Sequence, residues 1–343
     1  MLAAVITGRE RVDLREVPDP TPAADGVVVD IAYCGICGTD IHAYQSGTTY
    51  NPAVCGHEWA GWLSGVGPNV RGLSEGDRVV VAVPPACGSC AACRRGQTEH
   101  CQTVFLAATG RDIVAPLHGG FASRLAVPHG RVVKADPRLT DEQAGQVEPA
   151  TITFHAVRRS GLRLGDTAVI QGAGPIGMAT TQWVRARGAG EIIVVEPNEV
   201  RRSVAMSLGA TSAVAPEQAA EHVLERTKGL GADIVYECVG RGFAVQTAVN
   251  LARRGGELCL IGFPDTNADI APAIWLIKEL RTVASLAYNH EDFEMAMAMI
   301  ADGRIRLEPM HSLTVGLGGL EAALADLATG QSTELKVLVD PRR

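Results

Sequence analysis

The densest chemistry in the chain lies in residues 87–101, CGSCAACRRGQTEHC, where Cys87, Cys90, Cys93 and Cys101 form the pattern C-x2-C-x2-C-x7-C. Four thiols in one short loop suit tetrahedral zinc, with Zn–S bonds of about 2.3 Å and ligands that short spacings let a single loop supply. Four thiolates leave no coordination position for water or substrate, so this zinc is expected to be structural. An iron–sulfur cluster also takes four cysteines and would differ by its brown colour.

A second, sparser set could do catalysis. Cys37 in CGICGTDIH and His57 in CGHEWAG lie twenty residues apart and make a thiolate–imidazole pair for another zinc. Catalytic zinc keeps three protein ligands and one exchangeable position. Glu148, just before Pro149 in VEPATITFHAV, is the candidate third ligand. It stands where one domain hands over to the next, so a metal there is expected in a cleft between them. Spacing alone leaves plainer readings open: Cys37 as a small buried hydrophobe, His57 as a satisfied core histidine, Glu148 as a charge at a helix end. Cys34 with Cys37 also reads C-x-x-C, but no thioredoxin-like unit surrounds it. Cys55, Cys238 and Cys259 sit in apolar strand contexts and read as core.

A cofactor site is written further on. VIQGAGPIGM supplies Gly172, Gly174 and Gly177 as G-x-G-x-x-G, with Pro175 and Ile176 inside the motif, directly after an apolar strand and at the opening of a helix. Such glycines allow a tight turn and close approach of a pyrophosphate to a helix N-terminus. Glu196, nineteen residues past Gly177, ends the next strand, where a carboxylate can bond the ribose hydroxyls. Its charge repels a 2′-phosphate, favouring NAD over NADP, and Arg201 and Arg202 follow closely enough to offset part of that repulsion.

These residues need elements to hold them. A length of 343 residues favours two domains over one oversized core. Aromatics are only 4 %, so the core must come from Ala, Val, Leu and Ile, and a net charge of -7 argues against a nucleic-acid partner, which needs a basic face. The opening MLAAVITGRERVDLRE places its arginines after a short apolar run, unlike a secretory signal, and no apolar run approaches a membrane span. A cytoplasmic protein with reduced thiols is expected.

The first third reads as short strands between turn residues: GVVVDIAYCG, EWAGWLSGVG, DRVVVAVP and FASRLAVP, the style of a barrel or sandwich. From about residue 140 the segment LTDEQAGQVEPATITFHAVRRSGL is helical, with a break expected where Pro149 pushes Glu148 out of the α region. Strands and helices then alternate: TAVIQGAG, IGMATTQWVRARGA, EIIVVEP, VRRSVAMSLGA, ADIVYECVG, the helix AVQTAVNLARRG and the strand GELCLIGF. Near-continuous apolar strands in this order predict a doubly wound parallel sheet. The helix HEDFEMAMAMIADG and the strand ELKVLVD close the chain.

CGICGTDIH, GHEWAG, the four-cysteine loop, GGFASRLAVP, VEPATITFHAV, GAGPIG and ADIVYECVG, in this order, resemble the zinc-dependent medium-chain dehydrogenase/reductase superfamily along the whole chain. The resemblance implies an α/β plus β fold: a GroES-like β-barrel catalytic domain over residues 1–152 with a zinc lobe at about 84–118, a Rossmann domain over 153–287, and a return to the catalytic domain over 288–343. VEPATITFHAVRRSG, VVEPNEVRR and ASLAYNHEDF are most similar to the 2,3-butanediol dehydrogenases, with sorbitol and threonine dehydrogenases next.

In those groups a glutamate replaces a third cysteine ligand, which Glu148 fits, and Glu58 matches a second carboxylate that supports the ligands or exchanges onto the metal. Thr39 and His42 resemble a proton relay; alone they would read as a turn cap and an exposed histidine. The implied protein is a homotetramer or homodimer with two zinc ions per subunit, moving hydride between NAD and a secondary alcohol, diol or polyol of 2,3-butanediol/acetoin type. Zinc would activate the alcohol or carbonyl oxygen. Alternatives are a sorbitol- or threonine-dehydrogenase-like enzyme, a zinc-free quinone or enoyl reductase on the same fold, and a non-catalytic nucleotide-binding protein. Tyr44, Tyr50, Trp59 and Phe121 are pocket candidates by their closeness to the motifs.

Overall fold

The computed structural model describes residues 1–47, 55–108, 118–264 and 266–343, without the side chains of 107 and 108. Along the chain the strands are β1 (Leu2–Gly8), β2 (Arg11–Glu16), β3 (Gly26–Gly35), β4 (Glu58–Val66), β5 (Arg78–Val81), β6 (Arg124–Pro128) and β7 (Val132–Lys134). Then follow β8 (Thr167–Gln171), β9 (Glu191–Val195), β10 (Ser212–Val214), β11 (Ala232–Glu237), β12 (Ala252–Leu260), β13 (Arg281–Ala284), β14 (His311–Val315) and β15 (Lys336–Val339). Two compact units result. One comprises Met1–Glu148, Tyr288–Ala301 and His311–Arg343; the other comprises Pro149–Ala287 and Asp302–Met310.

The first unit is built on a mixed sheet in the order β14-β15-β3-β4-β5-β7, with β6 also paired to β3. β3 is buried along nearly its whole length because it has neighbours on every side. Val27, Val29 and Ile31 of β3 enter a core with Trp59, Leu63, Val79, Phe121, Leu125 and Val337. Two registers set the geometry used below: Gly35 at the end of β3 pairs with Glu58 of β4 on one side and with Leu338 of β15 on the other.

The second unit carries a six-stranded, all-parallel sheet in the order β10-β9-β8-β11-β12-β13. The order reverses between β8 and β11, so the carboxyl ends of these strands form the switch point where such sheets take nucleotides. Val169, Ile193 and Val235 are fully buried, as expected of strands covered on both faces. The architecture is the α/β plus β arrangement read from the sequence.

Two local expectations are corrected. The helix Val147–Arg159 runs through Glu148 and Pro149, and the break falls earlier, at Gly145–Gln146 after the helix Asp141–Ala144. Pro149 is the third residue of its helix, where an amide has no intrahelical partner to lose. The helix beginning at Gly242 stops at Leu251, and Ala252–Gly255, read as helical, begins β12, because Ala252 pairs with Ala232.

Candidate active site and metal centres

β3 ends at Gly35, and two residues later Cys37 caps the helix Gly38–Ser46 with extended backbone. His57 stands just before β4, and Glu58 is its first residue. Gly56 delivers the histidine: its φ is +69°, and a Cβ there would lie 2.8 Å from the Phe121 amide nitrogen. The ligand atoms of Cys37, His57 and Glu58 lie within 4.8 Å of one another. A soft thiolate, an imidazole and a carboxylate are a donor set that suits zinc.

This cluster is strongly coupled by charge. Burial alone would push the His57 pKa down, but the Cys37 thiolate, Asp40 and Glu148 outweigh it and hold the imidazole well above its ordinary range. Burial, reinforced by the charge of Glu58, raises the Glu148 carboxyl to about 7, and the hydroxyl of Tyr288 hydrogen-bonds it. Asp40, fully buried, is lifted to about 6 by its burial, with His57 pulling the other way. A bound dication would reverse this balance by favouring the charged forms of the acidic ligands. Thr39 Oγ1 is buried and has no hydrogen-bond partner among the described residues, a polar atom left for something that is not protein.

The four-cysteine loop forms its own cluster, Cys87, Cys90, Cys93 and Cys101, again with ligand atoms within 4.8 Å of one another. Backbone amides are aimed at the sulfurs: Cys90 N donates to Cys87 Sγ at 3.3 Å, Cys93 N to Cys90 Sγ at 3.5 Å and Cys87 N to Cys101 Sγ at 3.3 Å. Hydrogen bonds from Ser89 and Cys90 draw the Cys87 thiol down to about 5, whereas desolvation and the neighbouring thiols push Cys93 up to about 12. Thiols that share protons this way release them to a metal.

In the second unit, Gly172 has φ +92° and Gly174 caps the helix Pro175–Ala186 with Pro175 at its start. A Cβ on Gly177 would sit 1.9 Å from Gly172 O, so only glycine lets the helix close on the strand. Glu196, 6 % exposed, accepts from Ala173 N at 2.8 Å and Asn198 N at 3.0 Å, which fastens the end of β9 to the glycine loop. Arg201 lies in the first turn of the helix Glu199–Ser207, its amide bonded to Asn198 Oδ1 at 3.1 Å. Arg202 donates to the carbonyls of Glu196 and Pro197 at 2.8 and 2.7 Å.

Comparison with known proteins agrees with this geometry. Residues 23–137 match the alcohol dehydrogenase GroES-like domain and residues 175–302 the zinc-binding dehydrogenase family. The chain is 34 % identical over 345 residues to 2-dehydro-3-deoxy-L-galactonate 5-dehydrogenase of Pseudoalteromonas atlantica, covering 99 % of this chain and 98 % of that one. It is 33 % identical over 350 residues to sorbitol dehydrogenase of Bacillus subtilis, covering 100 % and 98 %. The crystal structure of 2R,3R-butanediol dehydrogenase from Bacillus subtilis aligns with a TM-score of 0.86 at 27 % identity, covering 99 % of each chain. The chain belongs to the zinc-dependent medium-chain dehydrogenase/reductase superfamily.

As a member of that superfamily the protein is an oxidoreductase, an alcohol dehydrogenase whose cofactors are zinc and a nicotinamide dinucleotide. Its relatives are polyol and alcohol dehydrogenases. Among the described residues no helix is long and apolar enough to cross a membrane.

Of the residues singled out in the sequence of this dehydrogenase, Cys37, His57 and Glu58 come together as one ligand group, and Glu148 bears on it electrostatically without belonging to the group. Thr39 and His42 share the helix that Cys37 caps. Tyr44, Trp59 and Phe121 lie in the hydrophobic core, and Tyr50 is outside the described residues.

Three neighbours were missed. Asp40 accepts from Cys37 N at 2.7 Å and Gly56 N at 3.0 Å, tying the two ligand-bearing segments together. Lys336 pairs with Glu58 in the interior, and Tyr288 bonds Glu148. The signals available were an acid three residues after the capping Cys37 and a lysine inside the apolar strand ELKVLVD.

Proposed function

We propose that the protein oxidises a secondary alcohol, diol or polyol of 2,3-butanediol type, and reduces the matching ketone, with NAD as hydride partner. The observation that carries this reading is the cluster of Cys37, His57 and Glu58 next in the chain to Thr39, whose hydroxyl is enclosed and unpartnered. Zinc would be held by Cys37, His57 and a carboxylate and would supply Lewis acidity toward the alcohol or carbonyl oxygen, and NAD bound at the glycine turn would supply the hydride chemistry. Glu58 supplies that carboxylate in this arrangement, and Glu148 stands next to it as the second acid.

The chain's own residues do the rest. Thr39 Oγ1 is the acceptor for the alcohol proton, and His42, one turn further on the same helix, passes it outward. Asp40 fixes the backbone of both ligand segments, so the donors keep their places as substrate enters. The Gly172–Gly177 turn offers the pyrophosphate a close backbone and a helix N-terminus. Glu196 offers its remaining lone pairs to the ribose hydroxyls and disfavours a 2′-phosphate, which supports NAD over NADP. Cys87, Cys90, Cys93 and Cys101 of the lobe would hold the structural zinc.

A homo-oligomer fits the outermost strand of the parallel sheet, β13, which pairs only with β12 among the described residues. The neighbouring helix Pro272–Lys278 exposes Leu276 and Ile277 at 78 % and 70 %. The deciding experiment is a panel of diols, polyols and amino alcohols assayed with NAD and with NADP on zinc-replete protein. Reduced cofactor with vicinal diols ahead of the others supports the reading. No turnover across the panel, or turnover only with amino alcohols, rejects it.

A further inference from the structure

We propose that Lys336 is a positioning residue that restricts Glu58 to a single oxygen facing the metal site, so that the site keeps one position open for substrate. The inference rests on the reading that Cys37, His57 and Glu58 hold zinc. It starts from an unusual placement: a lysine that opens the interior strand β15, with its side chain only 2 % exposed and paired to an equally buried Glu58. Its ammonium donates to Glu58 Oε2 and, at 2.9 Å, to the carbonyl of Ile36, the residue before Cys37. One cation thereby grips both segments that bring the donors, the one ending in Cys37 and the one following His57.

The sheet register makes this possible. Gly35 lies between Glu58 on β4 and Leu338 on β15, and a Cβ there would stand 2.4 Å from Glu58 Oε2 and 2.8 Å from Lys336 Cε. The glycine leaves the space in which the ion pair forms. With Oε2 engaged by the ammonium, Glu58 is disposed to meet a metal beside Cys37 and His57 through one oxygen and not through both. A carboxylate released from that grip could offer both oxygens and fill the position a substrate needs.

Lys336→Met and Lys336→Arg, each made with Glu58 intact and with Glu58→Gln, test the idea. The readouts are the visible ligand-field spectrum of the open site loaded with cobalt(II), the rate of metal release to a chelator, and turnover. In Lys336→Met the cobalt bands should weaken as coordination number rises, release should slow about tenfold and turnover should fall about tenfold or more. In Lys336→Arg the planar fork engages both carboxylate oxygens, so release should instead speed up about tenfold. Glu58→Gln should erase both shifts. Spectra and release rates that stay at wild-type values, or shifts equally large in the Glu58→Gln background, overturn the proposal and leave Lys336 as a tether for the Ile36 carbonyl. If Lys336→Met does not fold, the arginine variant decides alone. Wild-type protein that takes up no cobalt outside the four-cysteine lobe would refute the metal-centre reading itself, and that outcome is visible before any variant is made.

Discussion

The two metal-binding clusters of this dehydrogenase are built on opposite plans. The lobe takes its ligands from fifteen consecutive residues, Cys87 to Cys101, and stabilises their sulfurs with amides of the same loop. The open site takes Cys37 from a helix cap and His57 and Glu58 from the start of β4, with Glu148 nearby on another helix, and holds them with buried Asp40 and Lys336. A closed, contiguous site can be assembled by local chain geometry. A site that must stay reactive has its donors held by distant strands, whose packing resists collapse around the metal.

The comparison breaks most sharply at the open site. Cys37→Ser or His57→Ala should lower NAD-linked turnover at least about a hundredfold while NAD affinity stays within about twofold, read by steady-state kinetics and cofactor titration. Turnover near wild type in either variant would show that the chemistry does not use this cluster. The lobe should respond in the other currency. Cys93→Ser should lower the melting temperature by more than about 5 °C and leave the turnover of folded, zinc-loaded protein within about twofold. A large drop in turnover of fully folded protein would make the lobe part of the chemistry.

The same contrast explains what could be read from the sequence. The lobe was legible because its spacing is its structure: four cysteines in one loop specify the cluster without knowledge of the fold. The glycine loop was legible because Gly172, Gly174 and Gly177 stand between an apolar strand and a helix, where their lack of side chains has one steric explanation. Cys37, His57 and Glu148 could be proposed only weakly from spacing and needed the family resemblance. Glu58 as a second carboxylate likewise came only from the resemblance, because its place beside Gly35 depends on β4 pairing with β3. Lys336 and Asp40 were hidden for the same reason: their partners are 278 and 16 residues away, and no local periodicity records such pairings. The misplaced break at Pro149 shows a local rule yielding to position, since a proline in the first turn of a helix breaks nothing.

Asp40 sharpens the comparison between the sites. Its carboxylate accepts one amide from each ligand-bearing segment, and an amide side chain can replace only one of those bonds. Asp40→Asn should therefore cost about 1.5–3 kcal/mol of stability and speed metal release from the open site about tenfold, with release from the lobe unchanged. Release rates followed with a coloured chelator separate the two ions by their kinetics. Equal acceleration of both would mean that Asp40 supports the unit as a whole and has no particular bearing on the open site.

The smallest expected effect lies at the nucleotide loop, where one carboxylate has two duties. Glu196 anchors the Ala173 and Asn198 amides, and in the proposed reading its negative charge also stands where a 2′-phosphate would lie. Glu196→Ala removes both, so it should weaken both cofactors as well as change the preference. Glu196→Gln removes the charge and keeps one acceptor oxygen, so it retains one of the two amide bonds, from Ala173 N or Asn198 N, and the electrostatic part is read from the NADP-over-NAD ratio and not from the affinity for either cofactor. One unit charge near the phosphate in a watery setting is worth about 1 kcal/mol, so the ratio of kcat/KM for NADP over NAD should rise about fivefold in Glu196→Gln. Arg202 should add little to that gain, because its guanidinium already serves the carbonyls of Glu196 and Pro197. A ratio unchanged in both variants would remove Glu196 from cofactor selection and leave it as the strut that joins β9 to the glycine turn.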